Sequence, residues 1–237
     1  NIDEIIFQDV VASLYKRNQL SLLINKITKN IFTPITVGGG IRSINDIREI
    51  LINGADRVSI NTAAINNKKF IKESVKIFGS STITITIEAL KIEGKYKVYT
   101  DTGRTDTNID VFEWIKEAQD MGVGEIILTS INNEGIGKGF DLNLYEKASK
   151  LCNISLLAHG GARNLDDVYR LFINSDVDGA VIASAFHFNY YKELLKRKEI
   201  SLQGSTNFLI DKDYKKMFFF EIQELKKYLK SKNINIR

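Results

Sequence analysis

Two stretches, "ITVGGGIRSINDIREILINGADRVSINTAA" (35–64) and "LLAHGGARNLDDVYRLFINSDVDGAVIASAF" (156–186), share one layout: a glycine pair after one apolar run, a small polar residue after the next. Gly39 and Gly40 are followed by Asn61 and Thr62, and Gly160 and Gly161 by Ala183 and Ser184. Glycine lets backbone N–H groups approach an anion closely, and a helix N-terminus adds partial positive charge. Each stretch therefore reads as a phosphate cradle. A lone glycine pair carries little weight, because turns use such pairs freely; two pairs in matching places carry more, and suggest a substrate with a phosphate at each end. Between the copies, "TITITIEA" (82–89) sets Thr82, Thr84 and Thr86 on one face, Ile83, Ile85 and Ile87 on the other, and carries Glu88 on the threonine face. A carboxylate backed by a polar row is a candidate general acid or base. Asp9 and Glu134 are weaker candidates, suited to positioning substrate or capping a loop. His159 and His187 are the only histidines. Without companion ligands at suitable spacing they predict no metal site, and no cofactor is called for.

The elements that position these residues follow from periodicity. Short β-rich runs at 4–9, 34–37, 57–60, 82–89, 125–130, 154–158 and 179–183 alternate with amphipathic segments, the pattern of βα units around a parallel sheet. "KYKVYT" (95–100) follows "EG" and reads as a hairpin arm. Ser43 is a plausible N-cap and Gly54 a plausible helix stop. The glycine pairs stand 121 residues apart, as do Arg42 and Arg163, Asp46 and Asp167, and Ile52 and Ile173. Two half-barrels are implied, with copies at 3–64 and 124–186. The same offset places the counterpart of "TITITIEA" ahead of Asn1, so an eighth strand is expected upstream. The fold class expected is α/β, a (β/α)8 barrel in one domain over 1–237, with its first βα unit outside this sequence. Chemistry then belongs at the C-terminal strand ends, where Asp9, Glu88, Thr129, His159 and both cradles fall.

Bulk properties narrow the class of function. The formal net charge of +4 is spread through 33 basic and 29 acidic residues, which suits phosphorylated small molecules better than nucleic acid. The single cysteine, Cys152, cannot form an intramolecular disulfide and reads as a small core residue. With no apolar run of membrane-spanning length and no signal-peptide pattern, a cytoplasmic protein without membrane contact is expected.

The motifs "DEIIFQDVVAS", "TPITVGGGIRS", "GADRVSINTAA", "GEIILTSINNEGIGKGFD", "LLAHGGARN" and "IASAFHF" resemble the HisF family, the cyclase subunit of imidazole glycerol phosphate synthase. The likeness runs from Ile2 to about Phe188 and resumes in "EIQELKKYLKSKNINIR". The resemblance implies a lyase-type cyclisation in histidine biosynthesis. Ammonia attacks a bis-phosphorylated ribulosyl aminoimidazole carboxamide, giving imidazole glycerol phosphate and an aminoimidazole carboxamide ribotide. It assigns one phosphate to Gly40, Asn61 and Thr62, the other to Gly135, Gly161, Ala183 and Ser184, and puts Asp9 and Thr129 near the substrate. It implies a glutaminase partner in a heterodimer at the N-terminal face, an ammonia gate at Glu4, Arg57 and Glu125, and a partner contact at Asp56. This sequence departs from the family at two carboxylates: Glu88 and Glu134 stand where aspartates are usual, and the other family catalytic aspartate belongs to the strand ahead of Asn1. The segment 189–220 is longer than the usual connection. Two further readings follow from these departures, a HisF-like paralogue aminating a surface-polysaccharide sugar and a non-catalytic ammonia conduit for a glutaminase.

Overall fold

A computed structural model of the 237-residue chain describes residues 2–9, 20–197 and 219–237. The strands are β1 (Ile5–Gln8), β2 (Ile35–Gly38), β3 (Arg57–Ile60), β4 (Ile83–Ile92), β5 (Lys95–Thr100), β6 (Thr105–Asp110), β7 (Glu125–Ser130), β8 (Ser155–His159) and β9 (Gly179–Val181). The helices are α1 (Leu20–Thr28), α2 (Ile44–Ile52), α3 (Thr62–Asn66), α4 (Lys68–Phe78), α5 (Val111–Asp120), α6 (Leu142–Ser149), α7 (Leu165–Asn174), α8 (Ser184–Arg197) and α9 (Ile222–Ser231). Most of the long segment 189–220 lies outside the described residues. No described helix is long and apolar enough to cross a membrane.

Seven strands pair in parallel in the order β1-β2-β3-β4-β7-β8-β9. With helices between them, they make the curled sheet of a (β/α)8 barrel, the class expected from the alternation of elements. Each parallel strand falls within a few residues of its expected run. Two details differ. Thr82, expected in β4, sits in a 3-10 turn (Ser80–Thr82), where its hydroxyl bonds Phe78 O at 2.9 Å. β4 also runs on to Ile92 and carries the antiparallel pair β5 and β6. β6, "TDTNID", has no apolar alternation to announce it; it forms because β5 presents an open edge to it.

Alternation along each strand separates two environments. Ile83, Ile85 and Ile87 of β4 and Ile126 and Leu128 of β7 are fully buried, in one cluster with Trp114 and Ile115 of α5 and Leu144 of α6. Side chains of this size each contribute about 1.5–3 kcal/mol when taken out of water. The opposite face, toward the barrel axis, is polar: Thr84, Thr86 and Glu88 on β4, Arg57 and Ser59 on β3, Glu125 and Thr129 on β7. Helix starts are marked by carboxylates and amides, with Asp110 capping α5 and Asp141 capping α6.

The repeat is visible bond by bond. Ser43 and Asp46 close a capping box on α2, and Asn164 and Asp167 close its copy on α7. Asp56 Oδ2 accepts from Ile35 N at 2.8 Å, and Asp178 Oδ2 accepts from Leu156 N at 2.8 Å, each pinning the start of one strand to the start of its neighbour. The glycines have no substitute at the strand ends: Gly39 (φ 110) and Gly161 (φ 111) occupy the left-handed region, and a Cβ there would collide with Asp9 O and Gly139 O respectively.

Removing either strand lock leaves a half-buried backbone N–H without its acceptor. Asp56→Ala and Asp178→Ala should each lower the unfolding free energy by about 1–3 kcal/mol. Urea titration followed by circular dichroism would check this, and a loss below the scatter of the fit for both variants would refute the locking role.

Candidate active site

The polar face rises through the barrel in layers. At the lower end Arg57 Nη1 lies 2.7 Å from Glu4 Oε2 and 3.7 Å from Glu125 Oε2, while Thr84 Oγ1 donates to Glu125 Oε1 at 3.2 Å. Burial pushes the Glu125 carboxyl above its ordinary value, and the Arg57 guanidinium pulls it back. In the middle, Ser59 Oγ is 3.1 Å from Gln8 Oε1 and 3.0 Å from Thr86 Oγ1. The Gln8 side chain fills the space a Cβ on Gly38 would need, which explains the glycine at the end of β2.

At the upper end the register aligns Glu88 with Thr129, Thr129 with His159 and His159 with Val181 on successive strands. Two adjoining cavities open there. The larger, about 570 Å³, takes in Asp9, Gly39, Gly40, Asn61, Thr62 and Glu88. The smaller, about 360 Å³, takes in Gly135, Gly160, Gly161, Arg163 and Ser184. Glu134, His159, Val181 and Ala183 line both. Each cradle singled out from the sequence thus belongs to its own cavity, and the two meet at His159 and Glu134. The loop that carries Glu134 and Gly135 is tied down by Glu134 N to Ser130 O at 2.9 Å, Asn133 Nδ2 to Gly139 O at 2.6 Å and Gly139 N to Gly161 O at 2.8 Å.

Glu88 is held from two sides. Its Oε2 accepts from Gly103 N at 2.9 Å, and the Asn61 side chain makes a second hydrogen bond to it. Burial raises its carboxyl above the ordinary 4.5, the charges of Glu134 and Asp101 act in the same sense, and the two hydrogen bonds oppose them. Gly103 reaches the carboxylate from a turn in which Asp101 (φ 53) and Thr102 (φ 63) are also left-handed, a backbone costing roughly 1–2 kcal/mol at each non-glycine residue. Asn61 Oδ1 is buried with no partner among the described residues. A donor on a bound molecule would remove that cost.

His159 is engaged through its ring and its backbone. Nδ1 lies 3.1 Å from Thr129 Oγ1, and the Tyr145 hydroxyl, on α6, donates to the His159 carbonyl oxygen. Burial lowers the imidazole below its ordinary 6.5, opposed by the charge of Glu134. His187 lies on α8, exposed, with its ring edge-on to that of Phe188. Cys152 is half-buried and its thiol is pushed up by burial, the opposite of an activated nucleophile. Sequence reasoning did not reach Gly103 or Gln8. Gly103 sits at the tip of a hairpin whose second arm has no apolar signal, and Gln8 matters only through the glycine opposite it.

Comparison with known proteins bears on this geometry. The chain matches the family described as "Histidine biosynthesis protein" over residues 1–192, a span that includes both cradles and Glu88. It is 39% identical over 236 residues to the imidazole glycerol phosphate synthase subunit HisF of Hydrogenobaculum sp. (strain Y04AAS1), covering 99% of this chain and 82% of that one. The chain belongs to the HisF family. The subunit HisF of Petrotoga mobilis (strain DSM 10674 / SJ95) is 43% identical over 192 residues, 80% of this chain and 76% of its own. That of Natranaerobius thermophilus (strain ATCC BAA-1301 / DSM 18059 / JW/NM-WN-LF) is 38% identical over 210 residues, 89% of this chain and 80% of its own. The resemblance carried by the six quoted motifs is therefore a family relation.

The raised Glu88 carboxyl makes a signed prediction. Stability associated with its neutral form is fully present below the unfolded value near 4.5 and is lost as pH rises through the higher folded value. Glu88→Gln keeps an acceptor for Gly103 N but does not titrate. Its melting temperature relative to the unsubstituted protein should therefore rise between pH 4 and pH 7.5. A difference that stays flat or falls over that range would show that burial does not govern this carboxyl.

Proposed function

We propose that this chain is the ammonia-dependent cyclase subunit of imidazole glycerol phosphate synthase. In that role it converts a bis-phosphorylated ribulosyl aminoimidazole carboxamide into imidazole glycerol phosphate and an aminoimidazole carboxamide ribotide, a lyase-type reaction of histidine biosynthesis. The observation that carries this reading is the pair of repeat-related cavities joined at His159 and Glu134. A substrate with a phosphate at each end would seat one on Gly39, Gly40, Asn61 and Thr62, and the other on Gly135, Gly160, Gly161, Ala183 and Ser184. Its reacting centre would then lie over Glu88, with Asp9 and Thr129 on the same cavity wall and Glu134 at the junction. The raised Glu88 carboxyl suits it to hold a proton for transfer.

The second half of the reading is a glutaminase partner that supplies ammonia through the barrel. The three relatives are each named as a subunit. Glu4, Arg57 and Glu125 form a charged constriction at the N-terminal end of the strands, consistent with a gate. Around that end, in segments that lead into strands, Phe32 is 98% exposed and Ile52 76% exposed, with Ile77 and Ile173 about half exposed. Large apolar side chains left bare on one face suit a partner surface. Asp56 lies beside them, but its carboxylate is bound to Ile35 N, so docking is better tested at Phe32.

Expression in a histidine auxotroph lacking its own cyclase should restore growth, and Glu88→Gln should abolish it. No growth from a folded, ammonia-supplied protein would refute the histidine role and favour a sugar acceptor. Phe32→Asp should cut glutamine-dependent turnover about tenfold or more while leaving turnover with ammonium salts unchanged; equal loss in both assays would refute the docking face.

A further inference from the structure

His159 breaks the symmetry of the repeat at one place. Gln8 and Gly38 in the first half correspond to Thr129 and His159 in the second, both pairs 121 residues apart. In the first half the long side chain is on the earlier strand and reaches over a glycine; in the second the earlier strand carries a short hydroxyl, and the later one carries an imidazole. The exchange moves the larger side chain from the earlier strand to the later one and places a ring where the two cavities meet. Its Nδ1 is taken by Thr129 Oγ1, and among the described residues Nε2 has no protein partner. The His159 ring lines both cavities.

We propose that His159 is a second catalytic residue of this site, the base that works opposite Glu88. Resting on the cyclase reading, it takes a proton from the incoming nitrogen. As the ammonia lone pair forms the N–C bond to the ribulosyl carbonyl carbon, the C=O π pair moves onto oxygen. Glu88 gives its proton to that oxygen and Nε2 takes one from the nitrogen, leaving a neutral carbinolamine. The two groups stand two strands apart at one register level, with Thr129 between them, a spacing that leaves room for the reacting carbon. The base role requires Nδ1–H to donate to Thr129 Oγ1, leaving Nε2 bare, an arrangement the 3.1 Å contact permits. Burial keeps the ring neutral to lower pH than an exposed histidine, against the pull of Glu134. The other ionisable groups around it are Tyr145 at its carbonyl, Arg163 in the smaller cavity, and Glu88, Asp9, Asp101 and Arg42 in the larger.

Steady-state turnover with ammonium salts, measured across pH for the unsubstituted chain, His159→Asn and Glu134→Gln, tests the base role. His159→Asn should lose about 10²–10³ in kcat, with KM within about twofold, and should lose the acid-side limb of its kcat/KM profile. Glu134→Gln should move that limb to lower pH, because a carboxylate that raises the imidazole is gone; this variant carries the test if His159→Asn does not fold. Retention of the limb and of kcat within threefold in His159→Asn, or a change in KM alone, would overturn the proposal. Nitrogen-15 NMR of the substrate-free protein reads the ring without any turnover: a proton on Nδ1, none on Nε2 and titration below the ordinary histidine value are expected. A ring protonated on Nε2, or titrating at or above the ordinary value, overturns the base role even if the substrate assignment stands. Absence of turnover by the unsubstituted chain, with the NMR result as expected, would instead count against the cyclase reading.

Discussion

One hydrogen-bonded register governs the mouth of this barrel. β4, β7 and β8 pair so that Glu88, Thr129 and His159 fall at a single level, and a slip of one residue in either pairing would send the affected side chains into the helix layer. Behind these strands, fully buried isoleucines and leucines pack in one cluster with residues of α5 and α6; elsewhere in the sheet, Asp56 ties β2 to β3 and Asp178 ties β8 to β9 through backbone N–H groups. Polar contacts inside the barrel add direction more than energy, since Ser59, Thr86 and Gln8 can satisfy one another only when three strands are in step.

The two cradles depend on the same constraint for a different reason. At Gly39 and Gly161 the chain leaves the strand in a left-handed conformation so close to the neighbouring backbone that a methyl group would strike a carbonyl oxygen. The next residues enter a capping box, Ser43 with Asp46 or Asn164 with Asp167, and the helix begins. A glycine pair, a basic residue and a capped helix therefore form one device, used twice. Where the copies differ, at Gln8 and Gly38 against Thr129 and His159, the backbone stays the same and only the side chains exchange bulk.

The fold and the cradles were legible in the sequence because each rests on local signals: period-two runs for the seven parallel strands, glycine pairs for the turns, and Ser43 for its cap. The repeat made them stronger, since an offset shared by Gly39, Arg42 and Asp46 is hard to produce by turn chemistry alone. What was not legible depended on contacts between distant elements. β6 has the composition of a loop and becomes a strand through β5. Gly103 holds Glu88 across 15 residues of sequence through a turn of left-handed residues that no periodicity announces. Asp56, which family likeness assigns to the partner face, has its carboxylate engaged in the fold itself, and only its repeat-mate Asp178 reveals why.

Burial acts on Glu88 and His159, two ionisable groups at one register level, in opposite senses. It raises Glu88 because a carboxylate loses solvation, and lowers His159 because an imidazolium does. In water an acid near 4.5 and a base near 6.5 would exchange their proton and stand as an ion pair. Burial here moves the two values toward one another. Glu134, placed where the cavities meet, pushes both groups upward, and so shifts the working range of the pair without changing its sense. The hydrogen bonds from Gly103 and Asn61 act against the upward shift of Glu88. At Glu88, burial and the charges of Glu134 and Asp101 act upward and two donors act downward.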